Sequence, residues 1–207
     1  MEKEIVVWID EAWRWPWAGP VVAAVFCFNK SFRWKRIFTK QLKDSKKLNP
    51  KSREKIYEEI LELSQKWNIC FWLGIVDNHI IDEINIRNAN KLAMEKALED
   101  LFYKIDKNLI KEIIVDWNDK YKFNNNYIPT NFLIWWDNLI NEIKAASIIA
   151  KVFRDNLMVW YSKIYPNHWF ELHKWYWTKK HQDALDKFWP SWIHRKSYAP
   201  IKKCLDL

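Results

Sequence analysis

Glycine is almost missing from this chain: 2 residues in 207, where a globular protein of this length carries about 14. Tryptophan is in surplus by a similar margin, at 16 residues. Many of them, Trp13, Trp15, Trp117, Trp135, Trp136, Trp175, Trp177 and Trp189, fall where a turn is expected. The two departures read together as tryptophan standing where glycine belongs. An aromatic platform for stacking on bases is the other reading, but scattered turn positions make a poor continuous surface. Paired cysteines are also lacking. Cys27, Cys70 and Cys204 are odd in number and form no CxxC, so they read as free, buried thiols in a reducing compartment. No long apolar run is present either: the longest, Val21 to Phe28, is too short to span a bilayer. With an acidic start, MEKE, unlike a signal peptide, the expectation is a cytoplasmic protein with no membrane partner.

What is there suits one compact unit, since 207 residues hold one sizeable core and not two full domains. A formal charge of +8 suits an acidic partner such as nucleic acid. Ile5 to Ile9 and Val21 to Phe28 read as buried strands joined by a turn. Asn49-Pro50 opens a helix running to about Trp67, and Asn68 to Val76 returns to a strand pattern. Ile84 to Ile105 is helical in pattern, and Ile113-Ile114-Val115 is a further buried strand ending at Asp116. From Asn138 a long amphipathic helix carries apolar residues at steps of three and four. Strands alternating with helices predict an α/β domain over residues 1–162. Residues 163–207, with a helix capped by Thr178 and an irregular basic stretch after Trp189, read as a C-terminal helical extension packed on it.

Asp10-Glu11 and Asp116 close apolar strands, where ligand sites of open α/β sheets commonly lie. Asp137 stands at the start of the long helix. Gathered together, four carboxylates repel one another unless cations lie between them, and hard oxygen ligands select Mg²⁺ or Mn²⁺. Two such ions can hydrolyse a phosphodiester without a catalytic histidine. Each residue also has a plainer reading: Asp116 as a turn residue, Asp137 as a helix cap. Asp10 and Glu11, being adjacent in a strand, share one site only if the strand ends or bulges there. His168, His173, His181 and His194 match no metal spacing and read as surface residues.

The run Asp10-Glu11-Ala12-Trp13-Arg14-Trp15-Pro16-Trp17-Ala18-Gly19-Pro20-Val21-Val22 resembles the ribonuclease HII signature D-E-A-G-R-G-P-x-A-G-P-V-V, with tryptophan at two glycine positions. The resemblance continues through Asp44-Ser45-Lys46-Lys47-Leu48, Val115-Asp116-Trp117-Asn118 and Ala145 to Val152. It ends with His173 to Thr178 and Ile193-His194-Arg195-Lys196-Ser197, so nearly the whole chain is covered. It implies an RNase H-like fold with a central mixed sheet and an Asp10, Glu11, Asp116, Asp137 set holding two divalent ions, Asp10 bridging them. It further implies endonucleolytic cutting of the RNA strand of RNA/DNA hybrids, and at ribonucleotides embedded in duplex DNA, leaving 3'-hydroxyl and 5'-phosphate ends. The backbone of the turn at Trp13, Arg14 and Trp15 is expected to approach the ribose 2'-hydroxyl, with Tyr176 packed at the RNA-to-DNA junction. Ser45, Lys46 and Lys196 are further expected contacts of a monomeric enzyme. Arg14 and Lys46 are favoured over Lys47, Arg195 and Lys196 as backbone contacts, and Lys151 reads equally as a charge-neutralising or a surface lysine.

Tryptophan at Trp13 and Trp15 gives up the positive φ and the close approach that glycine permits. Strain of roughly 1 to 3 kcal/mol at a dozen such positions rivals the roughly 5 to 15 kcal/mol stability of a domain. The chain as it stands is therefore expected to fold poorly or lack activity, an inactive glycine-to-tryptophan variant of the nuclease, and the same chain with glycine restored is expected to be active. From another class, a non-catalytic binder of single strands predicts tight, salt-sensitive, metal-independent binding. Ribonuclease HIII, a second nuclease of the same fold, usually carries an extra N-terminal domain for which Asp10 leaves no room.

Overall fold

The computed structural model describes residues 5–12, 15–28, 48–117, 122–123, 128–133, 140–170 and 178–205. Five strands form one mixed sheet: β1 (Ile5–Ala12), β2 (Val21–Phe28), β3 (Ile69–Val76), β4 (Ile110–Asp116) and β5 (Thr130–Leu133), in the order β3-β2-β1-β4-β5. β1 pairs antiparallel with β2, and β2 with β3, whereas β4 runs parallel to both β1 and β5. The sheet is covered on both faces, so its central strands carry apolar residues on both sides. Val7, Ile9, Ala23, Val25 and Val115 face α2 (Asn78–Lys104), while Val22, Ala24 and Phe26 face α1 (Pro50–Gln65) and α3 (Asn141–Ile164). A small third cluster of Ala18, Met158, Phe170 and Ile193 ties the C-terminal part, with α4 (Lys179–Phe188) and α5 (Ala199–Cys204), to the β1–β2 turn. Among the described residues no helix is long and apolar enough to cross a membrane.

The caps explain most boundaries. Asn49 accepts a hydrogen bond from the Ser52 N–H at 2.9 Å, and Pro50 takes the first helical position of α1. At the other end Trp67, at φ 57°, donates to Ser64 O and Asn68 donates to Leu63 O. That is a Schellman closure with tryptophan at the position glycine usually fills. α2 starts at Asn78, earlier than the expected Ile84, because the Asp77 carboxylate accepts from the N–H groups of His79 and Ile80. It is broken at Asn85 (φ 63°, ψ 162°), whose side chain then caps a second segment through the Asn88 N–H. The periodicity of the sequence registers only that second segment. Gly74 on β3 lies against the α2 backbone, where an added Cβ would stand 1.8 Å from Ala93 O. β5 and α5 were not anticipated: one is four residues and the other six, too short for a period to show.

Candidate active site

The site is built at the C-terminal ends of β1 and β4. The parallel ladder pairs Trp8 with Ile114 and Ile9 with Val115, so Asp10 and Asp116 come next, side by side. Ile9 and Val115 both face α2, and strand alternation therefore puts both carboxylates on the opposite face, the one α3 covers. Neighbouring strands run about 4.8 Å apart, within reach of a shared cation. Asp10 is buried, 8% exposed, and its Oδ1 accepts a hydrogen bond from the Glu11 N–H at 2.7 Å.

Glu11 is not brought to that pair by strand geometry. β1 continues through Ala12, which pairs with Val22, without ending or bulging at Asp10-Glu11 on its β2 side. Glu11 lies opposite Ala23, a residue of the α2-side core, so alternation assigns it to the other face. Among the described residues there is no group of three His, Cys, Asp or Glu side chains able to hold a metal. Asp137 lies outside the described residues, as do Trp13, Arg14, Ser45, Lys46, Lys47, His173 and Tyr176. Asp10 and Asp116 by themselves fit a hard divalent cation: both are oxygen donors, adjacent and partly shielded from water. On α3, Lys144 is buried at 3% exposure, and burial raises the carboxyl of Glu142 above its ordinary value. Lys151 is half-buried on the same helix. Sequence reasoning passed over Lys144 and Glu142 because nothing in their spacing sets them apart from solvated helix charges.

The β1–β2 turn is held by two buried arginines: Arg154, which sequence reasoning missed, and Arg195, which it read as a candidate substrate-backbone contact. Arg154 Nη2 donates to Ala18 O at 2.9 Å and its Nε to Pro20 O at 3.2 Å. Arg195 Nε donates to Gly19 O at 3.0 Å, and its Nη2 reaches the same Pro20 O at 3.3 Å. Both are 0% exposed, so Arg195 acts on the turn from inside and is not a surface phosphate contact. Burial pulls the Arg195 guanidinium below its ordinary pKa, partly offset by Tyr198 and Asp82. The backbone adds to the clamp: Gly19 N–H donates to Ile193 O, and Arg195 N–H to Trp17 O at 2.7 Å. One signal was available, since Arg154 continues the four-residue steps of Ala146 and Ala150 along the core stripe of α3.

The tail that carries Arg195 is fastened to α2. Asn78 donates to Trp192 O and His194 O, and Asp82 accepts from the N–H groups of Lys196 and Ser197. Lys196 is exposed, its Nζ 5.4 Å from the Trp192 ring centre. Trp15 is 75% exposed beside the same turn. The expectation of surface histidines is overturned at three positions: His168, His181 and His194 are all buried around Phe170. The Ser191 N–H donates to His194 Nδ1 at 2.8 Å, which assigns the proton to Nε2, 3.1 Å from His181 Nε2. Their rings fill a core, with His181 and His194 bonded to each other and His168 Nε2 to Trp189 O at 2.8 Å.

The sequence matches the profile of the family described as Ribonuclease HII over residues 7–201. It is 39% identical to a Ribonuclease HII of Lactobacillus johnsonii over 98% of this chain and 74% of that protein. It is 42% identical to one of Caldicellulosiruptor bescii over 96% of this chain and 87% of that protein. In structure it resembles ribonuclease H2 from Pyrococcus horikoshii, with a TM-score of 0.73 at 20% identity and 98% of each chain covered. A similar likeness, TM-score 0.75 at 18% identity, is to Bst-RNase HIII in complex with Mn²⁺, covering 99% of this chain and 70% of that one. At these identities the structural likenesses speak to the fold: a mixed five-stranded sheet flanked by helices, as expected.

Proposed function

The chain belongs to the ribonuclease HII family, an endoribonuclease family, and from that premise we propose that it cuts the RNA strand of RNA/DNA hybrids and duplex DNA at embedded ribonucleotides. The observation that carries this is the placement of Asp10 and Asp116 side by side on one face at adjacent parallel strand ends. Asp10 and Asp116 would hold the first of two Mg²⁺ or Mn²⁺ ions; Asp137 and Glu11 are proposed to complete the set, Glu11 by its longer side chain reaching past the end of β1, because alternation turns it to the other face. When bound, such ions supply a Lewis acid for the phosphoryl oxygen and a nucleophilic water at neutral pH. The residues do the rest. Asp10, nearly buried, presents its carboxylate from a strand fixed on both sides, so little reorganisation is needed. Arg154 and Arg195 hold the Ala18 to Pro20 part of the turn, and Trp13, Arg14 and Trp15 are proposed to meet the substrate backbone. Ser45, Lys46, Tyr176 and Lys196 are proposed as further contacts to the duplex, and the net charge of +8 draws the polyanion in. Residues 163–207 act as a helical extension bracing that turn, and the enzyme works as a monomer in the cytoplasm.

The test is cleavage of a DNA duplex holding one ribonucleotide, with Mg²⁺ or Mn²⁺ and with EDTA, by this chain and by the chain with glycine restored at the tryptophan positions, each beside its Asp10→Asn variant. The expected result is metal-dependent cutting on the 5' side of the ribonucleotide, reduced on the order of a thousandfold or more in Asp10→Asn. Tight binding without cutting, in a chain with glycine restored at the tryptophan positions, would replace the nuclease reading with that of a binding protein.

A further inference from the structure

On the far side of the sheet from Asp10, two cysteines occupy one rung of the β2–β3 ladder. Cys27 and Cys70 are direct partners in the antiparallel register, between the pairs Phe26 with Phe71 and Phe28 with Ile69. Directly opposed residues share a face, with Cα atoms about 4.5 to 5.5 Å apart, inside the roughly 4.4 to 6.8 Å that a disulfide spans. Both are free thiols. Their access differs sharply. Cys27 is 0% exposed on an inner strand, whereas Cys70 is half-buried on β3, the edge strand of the sheet. Cys70 also lines a cavity of about 380 Å³ at that edge, with Ser64, Gln65 and Trp67 at the end of α1 and Lys104 at the end of α2. A small solute reaches Cys70 and not Cys27.

We propose that Cys27 and Cys70 form a redox-active cross-strand dithiol, in which a hydroperoxide entering the edge cavity oxidises Cys70 and Cys27 resolves it to an intramolecular disulfide. The chemistry balances. The Cys70 thiolate attacks a peroxide oxygen, an S–O bond forms, the O–O bond breaks, and the departing oxygen takes a proton to leave as water or an alcohol. The Cys27 thiol then gives up its proton and attacks the Cys70 sulfur; the S–S bond forms, the S–O bond breaks and water leaves. Each sulfur loses one electron and the peroxide gains two. A dithiol reductant reverses the bond by exchange. The arrangement is suited to this order of events. A hydrogen bond from the Cys27 thiol stabilises the Cys70 thiolate and lowers its pKa to about 7, while the same contact, with burial, raises Cys27 well above the ordinary thiol value. Attacking and resolving roles are thus separated by exposure and by acidity together. Cys204 is an internal control: it lies on α5, outside the sheet, where its thiol donates to Pro200 O at 3.3 Å.

The full chain, reduced and then given hydrogen peroxide, is quenched with iodoacetamide and its peptides are mapped by mass. One intramolecular Cys27–Cys70 disulfide, reversed by dithiothreitol, with Cys204 left for alkylation, is the expected result. Both cysteines still alkylated under peroxide that oxidises glutathione, or a disulfide running through Cys204, would overturn the proposal. Cys27→Ala, with its fold checked by circular dichroism, should leave Cys70 as a sulfenic acid captured by dimedone. Absence of that adduct in a folded variant also overturns it. In the same variant alkylation of Cys70 near pH 7 should slow by roughly tenfold, as its thiolate fraction falls toward that of an ordinary cysteine. An unchanged rate removes Cys27 as its partner. Should the variant not fold, the disulfide map of the unaltered chain decides alone.

Discussion

Trp67, Trp169 and Trp189 take positive φ, at 57°, 46° and 63°, and with Asn85 they make up the non-glycine residues that do so among those described. Asparagine tolerates the left-handed helical region better than tryptophan, although Asn85, at ψ 162°, lies outside it. Trp189, at ψ 164°, sits in backbone that is essentially glycine-only. Their rings recover little of the cost, since Trp67 is 72% and Trp189 61% exposed. The backbone at these three positions is that of glycine, which is the structural face of the glycine shortage. Trp189→Gly and Trp67→Gly should therefore each stabilise the chain by about 1 kcal/mol, after allowing for the freedom glycine adds to the unfolded state. Urea midpoints measure the gain, and Trp189→Gly should show the larger one. Trp117 behaves differently: it is 3% exposed in the core with Phe123 and Ile128, so the turn expected there is a packed strand end. His168 carries a pH dependence. Burial lowers its pKa from 6.5, so the unfolded chain takes up the proton first. Its contribution to stability is whole above the ordinary histidine value and lost as pH falls below 6.5 through the folded value. A urea midpoint that drops over that interval, less so in His168→Gln, checks it.

At the scale of elements, the contact of Gly74 with Ala93 decides how closely β3 and α2 lie. The Cβ of Gly74→Ala has no room against backbone, and separating the two elements should cost about 1 to 3 kcal/mol, read as a lower denaturation midpoint. The clamp on the β1–β2 turn makes a second test. Arg195→Leu keeps some bulk but abandons the Gly19 and Pro20 carbonyls in the interior, at about 3 kcal/mol or more. Because the turn and the tail are joined through that side chain, hydrogen exchange at the Gly19 N–H should quicken along with the loss. Exchange that stays slow would mean the backbone bond to Ile193 suffices. Both tests address packing that no periodicity reports.

At the scale of the molecule, the net charge of +8 predicts that affinity for a hybrid duplex falls steeply with salt, linearly in log-log form. A titration at several salt concentrations with Ca²⁺ in place of Mg²⁺ measures the slope. The succession of most strands, helices and caps along the chain is readable in the sequence. Asn49-Pro50, the apolar run Val21 to Phe28 and the stripe of α3 each state their element locally, because cap chemistry and hydrophobic period depend on neighbours in the chain. The chain likewise named Asp10, Glu11 and Asp116 as strand-end carboxylates, through a signature that does not depend on where the strands go.

The pairing of β1 with β4, which sets Asp10 beside Asp116, joins segments roughly a hundred residues apart, and a parallel rung leaves no trace in either strand. The same is true of Arg154 and Arg195 meeting on Pro20 O, of three histidines closing on Phe170, and of Cys27 facing Cys70. Charge and ring are properties of a residue and are written in the chain. Which of them become buried partners is a matter of registers and crossings, and only the tertiary structure decided that.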